Sequence, residues 1–396
     1  MGTMLRPRPD LPWLTWAEID LGALAHNYRE LRRITSSSAA MMAVVKADGY
    51  GHGAPQVAGV ALENGVSLLA VARMDEAVRL REAGVSAPIL LFGHSLPAYV
   101  DFMASRDIRV SLNSLENARR ISAEAVRLKK TVEAHIKVDT GMGRLGLLSD
   151  DISVRAVSGE GFDLAVRDIL AITDLPGIRV EGIFTHFANS DTGNKDHAKT
   201  QLARFMKLLQ TLEAHSLQVK YRHAANSAAI IDMPESHLDL VRPGIAQYGL
   251  WPSNEVRKER IDLRPVMSIK SRVIHLKEVG AGFAVSYGSI HVTPRPTRIA
   301  TIPIGYADGY DRILSAKGQM LVRGVRAPII GRVCMDLTMI DVGHVPEVRL
   351  EDEVVILGSQ GNETISADDI AQRVGTINYE IVSSLTSRVG KVYIDG

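Results

Sequence analysis

One lysine of the chain occupies a position from which an amine can do chemistry. Residues Met41–Val45 are short, apolar and partly β-branched, which is typical of a buried strand, and Lys46 follows them on a glycine-rich loop. Burial disfavours the charged form of an amine, so the pKa of such a lysine falls and its nitrogen can act as a nucleophile or a base. Amines of this kind condense with aldehydes, the chemistry that holds pyridoxal phosphate. A lone lysine at a strand end more often only reaches solvent, so its neighbours decide between these interpretations.

Further residues that offer polar side chains or backbone amides lie at or after the ends of other apolar runs that have the pattern of strands. In chain order they are Lys137, Arg144, His186, Asn226, Ser227, Arg242, Gly244 and Ile245. A serine hydroxyl and backbone amides are the kind of donors that hold a phosphate group. Each residue alone has an ordinary interpretation, such as a satisfied core histidine for His186 or turn chemistry for Asn226 and Ser227. Their common position at strand ends favours one shared site.

The elements that would position these side chains form an alternating pattern. Eight apolar runs predict strands at Met41–Val45, Ser67–Ala72, Ala87–Phe92, Ile108–Leu112, Ala134–Val138, Val180–Thr185, Gln218–Arg222 and Leu238–Val241. Helical patterns lie between them, including one that Asn113 and Glu116 would cap and one with an apolar stripe from Leu202 to Leu212. Strand–helix units in this number predict a parallel (β/α)8 TIM-like barrel, with its chemistry at the strand ends. A doubly wound sheet is the alternative, because periodicity does not reveal strand order.

The pattern changes after Trp251-Pro252-Ser253. Glycine turns then separate β-rich runs at Met267–Leu276, Arg298–Ile304, Met320–Val322, Ile329–Val333, Thr338–Val342 and Glu353–Leu357. One helix is predicted from Ser366, as N-cap, to Val374. We therefore expect a barrel domain over residues 1–253 and a mainly β domain over residues 254–396.

Composition limits the classes of function. The 396 residues carry a formal net charge of +1, which makes no electrostatic case for nucleic acid or an anionic membrane. Cys334 is the only cysteine of the sequence, which excludes an internal disulfide and fits a reducing compartment. Residues 1–12 lack the apolar core of a signal peptide, and no run approaches the roughly 20 apolar residues of a membrane span. We expect a cytoplasmic protein.

Eight motifs, each present once, lie within a resemblance to a known family that covers nearly the whole chain, from Trp16 to Tyr393. They are AVVKADGYGHG at 43–53, KVDTGMGRLG at 137–146, THF at 185–187, HAANSAA at 223–229, VSYG at 285–288, PIGYADG at 303–309, GRVCMD at 331–336 and TINYE at 376–380. Together they closely resemble alanine racemase, a fold-type III pyridoxal-phosphate enzyme. The resemblance implies pyridoxal 5'-phosphate as cofactor and interconversion of L- and D-alanine for peptidoglycan synthesis.

The resemblance also implies roles for the matching residues. Lys46 would hold the cofactor covalently and serve as one catalytic base, and Tyr287 from a partner subunit would be the other. The cofactor contacts would be Tyr50, His186, Asn226, Ser227, Arg242, Gly244, Ile245 and Tyr379. Arg144 and the partner's Met335 would bind the substrate carboxylate, and Lys137 matches a lysine that is often carbamylated. A head-to-tail homodimer with shared active sites, and no metal, is expected.

Racemisation needs two bases, because the α-proton leaves one face of the substrate and returns to the other. Lys46 and Tyr287 can each exchange a proton once their pKa values approach neutrality. By the same resemblance, Arg242 pairs with the pyridine nitrogen of the cofactor. A guanidinium stays protonated, so a second proton on that nitrogen is disfavoured and the ring remains a weaker electron sink. Side reactions such as transamination are thereby limited.

The sequence departs from the alanine racemase pattern at two places, and other functions are compatible with parts of it. Arg388–Lys391 lacks an expected proline–arginine pair, and residues 148–178 form a longer segment with a helical pattern at Phe162–Ile172. The alternatives are a broad-specificity or serine-preferring racemase, a decarboxylase of the same fold type, and a non-catalytic pyridoxal-phosphate carrier. A carrier built from the barrel alone has no need of Tyr287 or of a second domain. A metal site at Asp191, Asp196 and His197 matches no ligand spacing.

Overall fold

A computed structural model describes residues 13–149 and 161–395 of the chain. These residues divide into two compact units. The first consists of residues 24–49 and 53–264, and the second of residues 13–23, Tyr50–His52 and the described residues from Pro265 onward. The N-terminal residues 1–12 and most of the first third of the long 148–178 segment lie outside the described residues.

The first unit is built on parallel strands arranged as a barrel. The described chain opens with β1 (Thr15–Asp20), which belongs to the second unit, and α1 (Leu21–Ile34). The strands of the first unit are β2 (Ala40–Val44), β3 (Leu68–Val71), β4 (Ile89–Leu91), β5 (Ile108–Leu112), β6 (Val132–Asp139), β7 (Leu147–Leu148), β8 (Ile178–Phe184), β9 (Tyr221–His223) and β10 (Leu240–Val241). Their order is β10-β2-β3-β4-β5-β6-β8-β9, with the short β7 paired to β6. The amide of Arg242 donates to the carbonyl of Ala225 at 3.0 Å, which brings β10 back toward β9. The predicted barrel is confirmed, and the doubly wound alternative is wrong.

Helices connect these strands and cover the barrel. They are α2 (Ala54–Glu63), α3 (Met74–Glu82), α4 (Val100–Ser105), α5 (Leu115–Arg127), α6 (Gly161–Thr173), α7 (Asp196–Ala214) and α8 (Ser227–Asp232). The apolar stripe of α7, Leu202 to Leu212, is buried as predicted. The predicted cap of α5 is wrong by one residue, because the hydroxyl of Ser114, not Asn113, accepts from the amide of Asn117 at 3.1 Å. Among the described residues, no helix combines the length and apolar character that a membrane crossing requires.

The second unit is mainly β, as expected. Its further strands are β11 (Met267–Arg272), β12 (His275–Val279), β13 (Ala284–Val285), β14 (His291–Val292), β15 (Thr297–Ile302), β16 (Gln319–Val322), β17 (Val325–Pro328), β18 (Thr338–Asp341), β19 (Glu353–Gln360), β20 (Glu363–Ile365) and β21 (Gly390–Ile394), with helices α9 (Ala367–Val374) and α10 (Asn378–Ser383). The larger sheet has the order β17-β16-β19-β11-β1-β21 with β20 on β19, and β12-β15-β18 and β13-β14 form two smaller sheets.

Two predicted runs of this unit are wrong in detail. The run Met267–Leu276 is two strands, because the amide of Val273 bonds to Asp352 while that of Ile274 bonds to Thr301 in a different sheet. Ile329–Val333 is not a strand, and only Ile329 forms an isolated bridge, to Ile340. The predicted N-cap of α9 is confirmed, since the hydroxyl of Ser366 accepts from the amide of Asp369 at 3.0 Å.

Candidate active site

Lys46 lies just beyond the C-terminal end of β2, and the chain then turns with an unusual backbone. Ala47, Asp48 and Gly49 have φ values of 51°, 53° and 63°, and Tyr50 continues with a φ of 53°. These consecutive residues lie in the left-handed region, which costs a residue other than glycine about 1–2 kcal/mol. Such strain persists only where surrounding contacts impose it, most often at functional sites.

Hydrogen bonds impose this turn. The carbonyl of Asp48 accepts from the amide of Gly53 at 2.8 Å, and its carboxylate accepts from the amide of Ala54 at 3.0 Å. One carboxylate oxygen of Glu76, in the first turn of α3, accepts from the amide of Ala47 at 2.6 Å. The backbone after the lysine is therefore tied to the first turns of both α2 and α3.

The surroundings of Lys46 favour its neutral amine. Burial is the main cause that lowers its pKa, and the nearby cation of Arg144 lowers it further. The carboxylate of Glu76 acts in the opposite direction but does not cancel these effects. A larger share of the amine is thus unprotonated than in a solvated lysine, which suits a nucleophile.

Three buried polar side chains share one face of β6. His135, Lys137 and Asp139 alternate along the strand and so project to the same side. The ammonium group of Lys137 donates to the carbonyl of Val138 at 2.9 Å. Burial, aided by the cation of Arg242, lowers the pKa of Lys137 to about 7. Much of this amine is therefore neutral near physiological pH, the form that reacts with carbon dioxide.

Asp139 organises the loop that carries Arg144. Its Oδ1 accepts from the amides of Gly141, Met142 and Gly143 at 2.9, 2.8 and 3.2 Å, and its Oδ2 accepts from the amide of Arg144 at 3.0 Å. Burial opposes ionisation of this carboxyl, yet the amide donors still lower its pKa. The loop is therefore wrapped around a carboxylate at the end of β6.

Arg242 is buried directly after β10, and four groups fix its guanidinium. Its Nη2 donates to the carbonyl oxygens of Thr185 and Ala224 at 2.8 and 2.9 Å. The two guanidinium ends also meet imidazole nitrogens, Nη1 with Nδ1 of His223 at 2.9 Å and Nη2 with Nδ1 of His186 at 3.3 Å. Burial and the charge of Arg144 lower its pKa to about 9, so it remains a cation at neutral pH.

The contacts of Arg242 fix the tautomers of a chain of histidines. A guanidinium only donates, so Nδ1 of His223 accepts and its proton sits on Nε2. That Nε2 lies 2.8 Å from Nδ1 of His135, whose Nε2 in turn lies 3.7 Å from the carboxylate of Glu181. Burial, followed by the charge of Arg242, holds the pKa of both His223 and His186 well below the usual range. These two imidazoles are neutral.

A group of hydrogen-bond donors lies where β9 and β10 end. The buried hydroxyl oxygen of Ser227 accepts from the amides of Gly244 and Ala246 at 2.8 and 3.2 Å, and the buried Ile245 lies between them in the chain. The side chain of Asn226 caps α8, accepting from an amide of its first turn at 3.1 Å. Hydroxyl and amide groups that converge in this way suit a phosphate.

The remaining predicted site residues lie in the second unit. The rings of Tyr50 and Tyr379 have centroids 6.1 Å apart and are inclined by 49°. Burial raises the pKa of Tyr50 above its usual range, so its hydroxyl keeps its proton and can donate. Tyr287 is 73% exposed and Met335 is 52% exposed. The carbonyl of Met335 accepts from the amide of Ala307 at 3.0 Å.

Two family models together match nearly the whole chain. The model described as alanine racemase, N-terminal domain, matches residues 19–252, and the one described as alanine racemase, C-terminal domain, matches residues 266–393.

The chain belongs to the alanine racemase family.

Curated members of the alanine racemase family align with almost the whole chain. Alanine racemase of Desulfosudis oleivorans is 52% identical over 381 residues, covering 96% of this chain and 97% of its own length. Alanine racemases of Desulforamulus reducens and Methanococcus maripaludis are 47% and 45% identical, each covering 96% of this chain and 98% of its own length.

Solved alanine racemase structures have the same fold. That of Clostridium difficile 630 has a TM-score of 0.90 at 35% identity and covers 98% of this chain and 97% of its own. The Bacillus anthracis enzyme with bound L-Ala-P has a TM-score of 0.87 at 37% identity, covering 97% and 96%. The Bartonella henselae enzyme with covalently bound pyridoxal phosphate has a TM-score of 0.83 at 30% identity, covering 97% and 100%.

Several well-connected residues of this alanine racemase family member received no role from the sequence. His135 and Asp139 stand two positions on either side of Lys137, and the two-residue period of a strand was the signal that could have grouped them. His223 lies inside a family motif, and its contacts with Arg242 and His135 set it apart. Glu76 carried no signal at all, because its link to the lysine turn is a tertiary contact.

Proposed function

We propose that this chain is an alanine racemase that interconverts L- and D-alanine with pyridoxal 5'-phosphate held on Lys46. The observation that carries the proposal is the position of Lys46, an amine of lowered pKa, on the same strand-end rim of the barrel as Ser227 and Arg242. Membership of the alanine racemase family supports it, as does the covalently bound pyridoxal phosphate of the Bartonella henselae relative.

The residues of this rim fit the cofactor. Lys46 offers the amine for its aldehyde, the hydroxyl of Ser227, beside Gly244, offers a donor for its phosphate, and Arg242 offers a fixed cation for its ring nitrogen. By family resemblance, the further contacts come from Tyr50, His186, Asn226, Ile245 and Tyr379. When bound, the cofactor supplies an electron sink that makes the α-proton of the amino acid acidic.

The two bases act on opposite faces of the substrate. Lys46 would take or return the α-proton on one face, and Tyr287 of the partner subunit would do so on the other. The lowered pKa of Lys46 suits proton exchange near neutral pH. The exposure of Tyr287 leaves its hydroxyl accessible to a second subunit.

Arginines would orient the charged parts of substrate and cofactor. We assign the substrate carboxylate to Arg144 and to the partner's Met335 amide, with carbamylated Lys137 orienting Arg144 through a negative charge. Arg242 would donate to the ring nitrogen and oppose its protonation, because a guanidinium at neutral pH has no lone pair to accept with. A ring nitrogen without a proton keeps transamination slow.

The assembly that this chemistry requires is a head-to-tail homodimer. The barrel domain would span residues 1–253, and the β-rich domain, residues 254–396, would complete the active site of the partner. The biological setting would be the cytoplasm, where D-alanine is supplied for peptidoglycan.

The proposal is tested by racemisation in deuterated water. Wild-type protein loaded with pyridoxal phosphate should interconvert L- and D-alanine and place solvent deuterium at Cα. Tyr287→Phe, which removes only a hydroxyl, should slow the reaction about 10²–10⁴-fold, the usual contribution of a general acid–base. Because L- and D-alanine have equal free energies, kcat/KM should fall equally in both directions, whereas solvent-deuterium exchange into unconverted substrate should be lost mainly with L-alanine. Tyr99→Phe, in the turn before α4, is the matched control.

The preferred substrate is identified by the same assay, run with serine and larger amino acids. A higher kcat/KM on serine would replace alanine racemase with a serine-preferring racemase on this fold. Cofactor absorbance without turnover on any amino acid would mean a pyridoxal-phosphate carrier.

A further inference from the structure

Glu76 connects two elements through separate oxygens of one carboxylate. Oε2 accepts from the amides of Ala72 and Arg73 at 2.8 and 3.0 Å, which caps the start of α3. Oε1 accepts from the amide of Ala47, next to Lys46, at 2.6 Å. A helix cap needs only the first of these contacts. The second reaches 29 residues back along the chain to the turn that carries the lysine.

That turn does not hold its conformation by local preference. Ala47 and Asp48 have φ values of 51° and 53°, in a region that side chains with a Cβ rarely adopt. The amide of Ala47 lies beyond the last residue of β2, and Glu76 accepts from it. A charged acceptor forms a stronger hydrogen bond than a neutral one.

We infer that Glu76 is a positioning residue, whose carboxylate holds the left-handed turn and thereby aims Lys46 at the cofactor. This inference rests on the proposed function, in which Lys46 carries pyridoxal phosphate. The same carboxylate opposes the fall in the pKa of Lys46, which places its charge close to the amine as well as to the turn.

The test separates the contact of Glu76 with the Ala47 amide from its contacts as a helix cap. Glu76→Ala removes both contacts. Glu76→Gln keeps the shape but has one acceptor oxygen, so its NH2 group must face one of the two sets of amide donors. The control is Asp369→Ala, because Asp369 closes the equivalent cap of α9, in the second unit, by accepting from the amide of Ser366 at 2.9 Å.

The first measurement is amide hydrogen exchange of the peptide spanning residues 44–50 in cofactor-free protein. The second is a titration of each variant with pyridoxal phosphate, followed by absorbance, with kcat and KM on alanine. We expect faster exchange at Ala47 and cofactor affinity reduced about tenfold in Glu76→Ala, the loss that one hydrogen bond to a charged group predicts. Glu76→Gln should show a smaller change in the same direction, and Asp369→Ala should lower only the melting temperature.

Unchanged exchange at Ala47 and unchanged cofactor affinity in both Glu76 variants would overturn the inference and leave Glu76 as a cap of α3. If Glu76→Ala does not fold, Glu76→Gln carries the test. A wild-type protein that binds no cofactor through Lys46 would contradict the proposed function instead. Hydrogen exchange measures the contact between Glu76 and the Ala47 amide in cofactor-free protein, so the two failures are distinguishable.

Discussion

Two buried lysines of the barrel unit lie near arginine cations. Burial and Arg144 lower the pKa of Lys46, while burial and Arg242 lower that of Lys137. Cations gathered at one rim repel one another unless an anion joins them, which is the field that a phosphate or carboxylate ligand would neutralise. The residue-scale electrostatics therefore favour an anionic cofactor and an anionic substrate.

The lowered pKa of Lys137 predicts a pH-dependent stability. In the folded protein its pKa is about 7, whereas an unfolded lysine titrates near 10.4. Between these values the unfolded chain binds the extra proton, so this lysine makes stability rise with pH, by up to about 1.4 kcal/mol per unit. Lys137→Met should therefore be more stable than wild type at pH 7, and its advantage should shrink toward pH 10.

Urea unfolding of cofactor-free protein in bicarbonate-free buffer, at pH 7, 8, 9 and 10, measures this difference. Lys199→Met, at an exposed position of α7, is the control and should differ from wild type by the same amount at every pH. Parallel stability curves for Lys137→Met and wild type would mean that Lys137 is already carbamylated or well solvated.

At the scale of elements, burial decides what the sequence could predict. Barrel strands such as β3 and β5 have buried side chains along their length, so their apolar runs were visible without any structure. The switch between sheets at Val273 was invisible, because both flanking strands keep the same β-rich pattern. The site residues at strand ends followed from the fold and the family motifs. The contacts of Glu76 and His135 did not, since they depend on which helices and strands are neighbours.

Packing between β6, β8 and β9 leaves no room at Gly182. A Cβ there would lie 2.6 Å from Nδ1 of His135 and 2.9 Å from the carbonyl oxygen of Tyr221. The His135 ring cannot move aside freely, because its Nδ1 is hydrogen-bonded to His223. Gly182→Ala should destabilise the protein by about 1–3 kcal/mol through overpacking. Thermal unfolding measures the loss.

Gly59→Ala is the matched control. Gly59 lies within α2, and a Cβ there would meet no heavy atom within 4 Å. Alanine is favoured over glycine inside a helix by about 0.5–1 kcal/mol, so this variant should raise the melting temperature. Equal melting temperatures for Gly182→Ala and wild type would show that the β6–β8–β9 packing is looser than the geometry indicates.

At the scale of the whole molecule, the proposed site would need two subunits. One subunit would supply Lys46, Arg144 and Arg242, and its partner would supply Tyr287 and Met335. Tyr287 and Met335 are both exposed side chains. A shared site would make the dimer the smallest active form.

Mixing two inactive variants tests this sharing directly. Lys46→Ala and Tyr287→Phe each remove one of the two proposed bases. If Tyr287 acts across the subunit interface, a mixed dimer has one site with both bases intact and one site with neither. Random reassortment after mild unfolding and refolding makes half of the dimers mixed, so activity should return to about a quarter of the wild-type value. If both bases came from the same chain, every site of every dimer would lack one of them. The mixture would then stay as inactive as its parents, and the head-to-tail arrangement would be wrong.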